Sequence, residues 1–102
     1  MENSKANGML GLCKKAGKLI VGTDLTVKAI REQKGVYLVL LARDASDNTV
    51  KRITDCCTHY EVPLRTLPLT TEELGHLVGK GSAVAAAGVS DRDFASAILT
   101  RL

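Results

Sequence analysis

Two glycine-bounded stretches have spacing close to that of a phosphate-binding loop. The first, GKLIVGT at residues 17–23, has the right four-residue gap, but Thr23 stands where such a loop needs its lysine. The second, GHLVGKGS at 75–82, contains Gly-Lys-Gly-Ser, yet its gap is three residues and it follows a helical pattern. A nucleotide-binding P-loop requires a strand, then a turn of backbone N–H groups, then a helix opening at Lys-Ser/Thr. Neither stretch meets that order, and an NTPase is not expected.

The thiols give no catalytic or metal site either. Cys56 and Cys57 are adjacent on a helical pattern and are expected to point in different directions, and Cys13 is remote in sequence. His59 lies two residues from Cys57, which is poor zinc spacing. Cys57 falls on an apolar stripe, where a thiol behaves as a small hydrophobe. His76 reads as a surface residue, and no Ser-His-Asp or paired-carboxylate arrangement stands out. No catalysis, cofactor or metal is expected.

The feature left is the start of a helix at Gly22-Thr23. A helix N-terminus exposes unpaired N–H donors and a partial positive charge, which suits phosphate. Gly22 has no Cβ and allows a close backbone approach. Lys18 precedes it, and Lys28 and Arg31 share an outer helix face with Asp24. The competing reading is an ordinary Asp24–Lys28 ion pair, worth about 0.3–0.5 kcal/mol, beside a glycine that only turns the chain. These residues alone leave both open.

The elements that would position this helix alternate at short intervals. Residues 3–16 read as a helix with Met9, Cys13 and Ala16 on one stripe, weakened by Gly8 and Gly11 and ended by Gly17. LIV at 19–21 is a short strand, and Thr23 is expected to cap a helix over 24–34 with Val27 and Ile30 inward. VYLVLLA at 36–42 reads as a central strand buried on both faces. Ser46 or Asp47 caps a helix to about residue 60, its stripe being Val50, Ile53, Cys57 and Tyr60. Pro63 assigns 62–67 to an edge strand or a strand start. Thr70 and Glu73 form a capping box for a helix ending at Gly79. Residues 83–89 make a small-residue strand, and Ser90 or Asp91 opens a last helix through Leu102. This alternation implies an α/β fold, a three-layer α-β-α sandwich around a mixed sheet of about four strands.

The totals agree with that reading. A chain of 102 residues, 45% hydrophobic and 25% charged, suits one folded domain over residues 1–102. At 3% aromatic residues the core must be aliphatic, and RNA binding cannot rest on an aromatic stacking platform. The net charge is +3, and residues 1–34 carry seven Lys/Arg against three Asp/Glu, a local excess permissive of an anionic partner. An odd cysteine count, with no secretory leader and no segment of membrane-spanning length, gives an expectation of a cytoplasmic protein with no membrane partner.

AGKLIVGTDLTVKAI, then YLVLLARDAS, then VP, then ELGHLVGK, in that order, resemble the kink-turn-binding ribosomal protein family (L-seven-Ae and L-thirty-e), and most of all its bacterial YlxQ-type branch. The resemblance spans nearly the whole chain. It implies a three-layer α-β-α sandwich and non-catalytic binding of structured RNA, ribosomal in kind, with ribosomal or translation proteins as further partners. Carried over by position, it implies that Gly22 and Thr23 meet the RNA backbone, that Lys28 contacts phosphate or a guanine edge, and that Asp24 and Leu25 occupy the reading positions between them. The turn from Asp44 to Asp47, with Asp44 and Ser46 as its contacts, would flank the site. A second loop, Gly79, Lys80, Gly81, Ser82 and Ala83, would close over a flipped-out nucleotide.

The chain departs from the family at one pair. Asp24-Leu25 stands where the family has Asn-Glu. An ionised Asp only accepts hydrogen bonds and repels a nearby phosphate, and Leu25 can accept none from a guanine N–H. The lost contact is expected to cost about 1–3 kcal/mol, by analogy with base readout on DNA. That departure supplies the alternative reading, a protein-interaction module of the same fold with weakened RNA specificity.

Overall fold

The computed structural model describes the backbone of residues 4–102 and side chains from residue 7 onward; the expected helix start at residue 3 lies outside these described residues. The elements, in chain order, are α1 (Ser4–Lys15), β1 (Leu19–Val21), α2 (Thr23–Arg31), β2 (Leu38–Leu41), α3 (Asp47–Tyr60), β3 (Leu64–Thr66), α4 (Thr71–Leu77), β4 (Ala86–Val89) and α5 (Arg92–Arg101). The sheet runs β1-β4-β2-β3, with β4 antiparallel to β1 and β2, and β2 parallel to β3. The three-layer α-β-α sandwich and its mixed four-stranded sheet are borne out.

Period-two alternation in β2 explains the two cores. Leu38 and Leu40 face α1, α4 and α5, packing with Leu10, Cys13, Leu74 and Ile98. Val39 and Leu41 face α2 and α3, packing with Val27, Ile30, Ile53 and Cys57. All four β2 residues are buried, as a strand covered on both faces demands. β3 is the edge that Pro63 suggested, and the Pro63 carbonyl accepts from the Val39 amide at 2.9 Å. β4 is Ala-Ala-Gly-Val, and its lack of bulk lets α2 settle close to the sheet. A Cβ on Gly88 would stand 3.2 Å from Thr26 Cγ2. Thr26 is wholly buried, and its Oγ1 has no hydrogen-bond partner.

Several local expectations need correction. The cap of α2 is Gly22, not Thr23, and no side chain caps that end. Gly22 has φ 112° and ψ 147°, backbone essentially confined to glycine, so the residue leaving β1 takes the cap position and Thr23 becomes the first helical residue. α2 stops at Arg31 rather than 34, closed by bonds from the Gln33 and Lys34 amides to the Ile30 and Ala29 carbonyls. The strands β2, β3 and β4 are each shorter than the apolar runs containing them, because apolar flanks such as Val84 bury side chains outside the ladder. In α1 the inward positions are Leu10 and Cys13, whereas Ala16 is exposed. In α3 Val50 is exposed, and Cys56 joins Cys57 in the core, since neighbours about 100° apart fit one broad buried face. The other caps match the spacing: Ser46 accepts from the Thr49 amide, Asp91 from the Phe94 amide, and Thr70 with Glu73 completes the capping box.

Burial pushes the Cys13 thiol up from 9.0 to about 11, with the Asp91 carboxylate adding to the effect. Cys57 rises likewise to about 11, by burial and then by Cys56. The folded chain therefore holds these protons to higher pH than the unfolded chain does. These two thiols thus leave stability unchanged below about pH 9 and lower it as pH rises from there toward 11. Urea midpoints measured across that window should decline, and Cys13→Ala should decline less steeply than the parent. A further pair of substitutions separates two kinds of helical glycine. A Cβ on Gly75 would meet the Ser82 carbonyl oxygen at 1.9 Å, so Gly75→Ala should cost about 1–3 kcal/mol in chemical denaturation. Gly11 has open space around it, and Gly11→Ala should instead add about 0.5–1 kcal/mol.

Candidate nucleic-acid interface

Strand direction decides what meets at the mouth of this fold. Because β4 runs against β1 and β2, and β3 runs with β2, the C-terminal ends of β1, β2 and β3 share one sheet end with the start of β4. The segments that follow or precede those ends are 22–28, 42–47, 67–71 and 79–85. Three helices, α2, α3 and α4, therefore begin at this end.

Backbone and side-chain bonds fasten these segments to one another. The Gly22 amide donates to the Ala86 carbonyl at 2.9 Å, and the Ala42 amide to Ala85 at 2.9 Å. The Arg43 amide donates to Leu69 at 2.8 Å, and the Val84 amide to Thr71 at 2.9 Å. Asp44 accepts from the Thr71 amide at 2.6 Å, tying the 44–47 turn to the tip of α4. Gly79 at φ 71° closes α4, with its own amide and that of Lys80 donating to the His76 and Gly75 carbonyls. The 80–83 loop then folds back onto bare Gly75. A cleft of about 270 Å³ lies there, lined by Glu72, His76, Gly81, Ser82 and Ala83.

The start of α2 differs from those of α3, α4 and α5 in lacking a side-chain cap. The Thr26 amide makes the first intrahelical bond, to the Gly22 carbonyl at 3.0 Å, so the Thr23, Asp24 and Leu25 amides precede the ladder. Asp24 and Leu25 are both well exposed, at 88% for the Asp24 side chain and 58% for Leu25.

The Asp24–Lys28 pair anticipated as the alternative does not form. Asp24 Oδ1 accepts instead from Arg52 Nη1 on α3. Lys28 is exposed and has no carboxylate within ion-pair distance among the described residues. The structure thus brings together Gly22, Thr23, Asp24, Leu25 and Lys28, the Asp44–Ser46 turn, and the Gly79–Ala83 loop with Lys80, Gly81 and Ser82.

It does not bring Lys18 or Arg31 with them. Lys18 precedes β1 and lies about 13 Å of strand from Gly22, its carbonyl accepting from Ser90 at the opposite sheet end. Arg31 is in the last turn of α2, about 12 Å along the axis from Thr23. Lys14, Lys15 and Lys34 also belong to that far end, so among the described side chains of residues 1–34 the cation at the mouth is Lys28. Arg43, Arg52 and Lys80 supply the rest. Carboxylates at the mouth are mostly engaged: Asp24 by Arg52, Asp44 by the Thr71 amide, and Glu73 by the Thr70 amide.

Sequence reasoning missed Arg52, whose partner is 28 residues away and leaves no periodic trace. It also passed over Gly75, although a glycine inside a helical pattern was the available signal. Among the described residues no group of three or more His, Cys, Asp or Glu could hold a metal ion, and no helix is long and apolar enough to cross a membrane.

The chain is 40% identical over 94 residues to the RNA-binding protein YlxQ of Bacillus subtilis (strain 168), covering 92% of this chain and 91% of that protein. It is 41% identical over 91 residues to the RNA-binding protein YlxQ of Enterococcus faecium, covering 89% and 84%. A solved structure of a protein of unknown function from Bacillus halodurans superposes with a TM-score of 0.87 at 31% identity, over 96% of both chains. The family model described as Ribosomal protein L7Ae/L30e/S12e/Gadd45 matches residues 4–99, and the chain belongs to that family.

Proposed function

We propose that this protein, acting as one domain, binds structured RNA of the sharply bent, kink-turn-like kind in the cytoplasm, in association with the ribosome or the translation machinery. It is a binding protein rather than an enzyme. The observation that carries the reading is the uncapped, glycine-led start of α2, held beside two fastened loops at one end of the sheet. Open amides and the helix dipole suit a phosphate group, and Lys28 follows along the exposed face. The 79–83 loop and its cleft offer a concave surface for a base splayed from the stack, a form in which RNA sequence is commonly read. The names of the B. subtilis and E. faecium relatives, and the ribosomal members of the family, support RNA as the partner.

Leu25 supports the second reading, a protein-interaction module, because it is a large apolar side chain more than half exposed beside charged neighbours. Capture from nuclease-treated lysate separates the two. Partners that persist favour the module, and partners lost with the RNA favour the first reading.

Four cations at the mouth set the expected salt dependence. A fluorescence titration of an RNA with a bent internal loop should show log affinity falling against log salt with a slope of about −3. Absence of binding at low salt, or affinity indifferent to salt, would overturn the proposal. Lys28→Ala should weaken binding about fivefold or more while leaving the circular dichroism spectrum unchanged. Undiminished affinity in a folded Lys28→Ala protein would show that the site lies elsewhere.

A further inference from the structure

We propose that Arg52 is an RNA-contacting residue, and that Asp24 presents it at the open tip of α2 rather than reading a base itself. The inference rests on the RNA-binding reading above and extends it to a residue on a second helix.

Arg52 lies in the second turn of α3 and reaches across to the first turn of α2, where its Nη1 donates to Asp24 Oδ1. Its neighbour Lys51 bonds along its own helix to Asp55 at 3.1 Å, so Arg52 is the cation α3 offers to the interface. The Arg52 side chain remains 45% exposed. A guanidinium has five N–H donors in a rigid fork, and the carboxylate occupies few of them. The rest are available to a phosphate or a guanine edge, both of which suit bidentate recognition by arginine.

This contact also changes what Asp24 does. Alone, an ionised carboxylate in the first turn would repel phosphate arriving at the Thr23, Asp24 and Leu25 amides. Paired with Arg52 it is neutralised, and it fixes the guanidinium beside those amides. The pair is exposed, and exposed pairs contribute little to folding, so its value lies in orientation. Removing it should leave the domain folded.

A double-mutant cycle on binding to the bent-loop RNA tests the proposal, with Lys28→Ala as reference. Arg52→Ala should lose about tenfold in affinity and make the salt slope about one unit shallower. Arg52→Lys keeps the charge but not the fork; it should retain the slope with intermediate affinity. Adding Asp24→Ala to Arg52→Ala should recover part of the loss, because the unpaired carboxylate is then gone. Asp24→Ala alone should lose about threefold in affinity while keeping the parent salt slope, because Arg52 keeps its charge but loses the partner that orients it; parent-like affinity in Asp24→Ala would overturn the orienting role. If Arg52→Ala fails to fold, Arg52→Gln gives the same comparison with the side-chain stem kept. Arg52→Ala binding like the parent while Lys28→Ala binds poorly would overturn this inference alone. So would a double variant no better than Arg52→Ala. A parent protein that binds no RNA would overturn the wider reading and this one together.

Discussion

The antiparallel seating of β4 between β1 and β2 is the constraint on which the site depends. It sends the C-terminal ends of three strands to the edge where β4 begins, and so gathers three helix starts and the 79–85 segment in one place. A parallel β4 would have placed the 79–83 loop at the other end of the sheet. The seating also depends on side-chain size. Ala86 and Gly88, on the face of the strand toward α2, leave room for that helix, with Thr26 over Gly88. Bulk there would lift α2 and carry its open amides away from the loops.

Electrostatics at the mouth is arranged by pairing rather than by surplus. The chain is only modestly basic, and much of the early positive charge sits at the end of the sheet where α1 and α2 finish. Near the proposed interface, carboxylates serve as structural acceptors: Asp44 for the tip of α4, Glu73 for the capping box, Asp24 for Arg52. Each such bond occupies an anion that would otherwise oppose a polyanionic partner. Few cations then suffice, provided that each is well aimed.

Much of this was legible in the sequence because the signals are local. Capping residues Ser46, Thr70 and Asp91 announce helix starts through bonds spanning three residues, and the apolar run at 36–42 announces a strand covered on both faces. The glycine before α2 was visible too, although Thr23 was assigned the cap that Gly22 holds. What stayed hidden depends on distance in the chain. The Asp24–Arg52 bond, the Asp44–Thr71 bond and the contact of Gly75 with Ser82 each join segments that no periodicity links. Charge totals misled for the same reason, since neighbours along the chain, such as Lys18 and Gly22, stand at opposite ends of a strand.

The orphan hydroxyl of Thr26 bears on how α2 is held. A buried Oγ1 without a partner gives that stretch of helix no directional grip on the strand below. Among the described residues, the directional bonds from α2 to other elements are those of Gly22 to Ala86 and Asp24 to Arg52, both at its beginning. Mechanically, the helix is a lever clamped at one end and resting on a smooth apolar bed along its length. The open amides thus take their placement from bonds made at the tip itself, while Val27 and Ile30 seat the body of the helix by apolar packing.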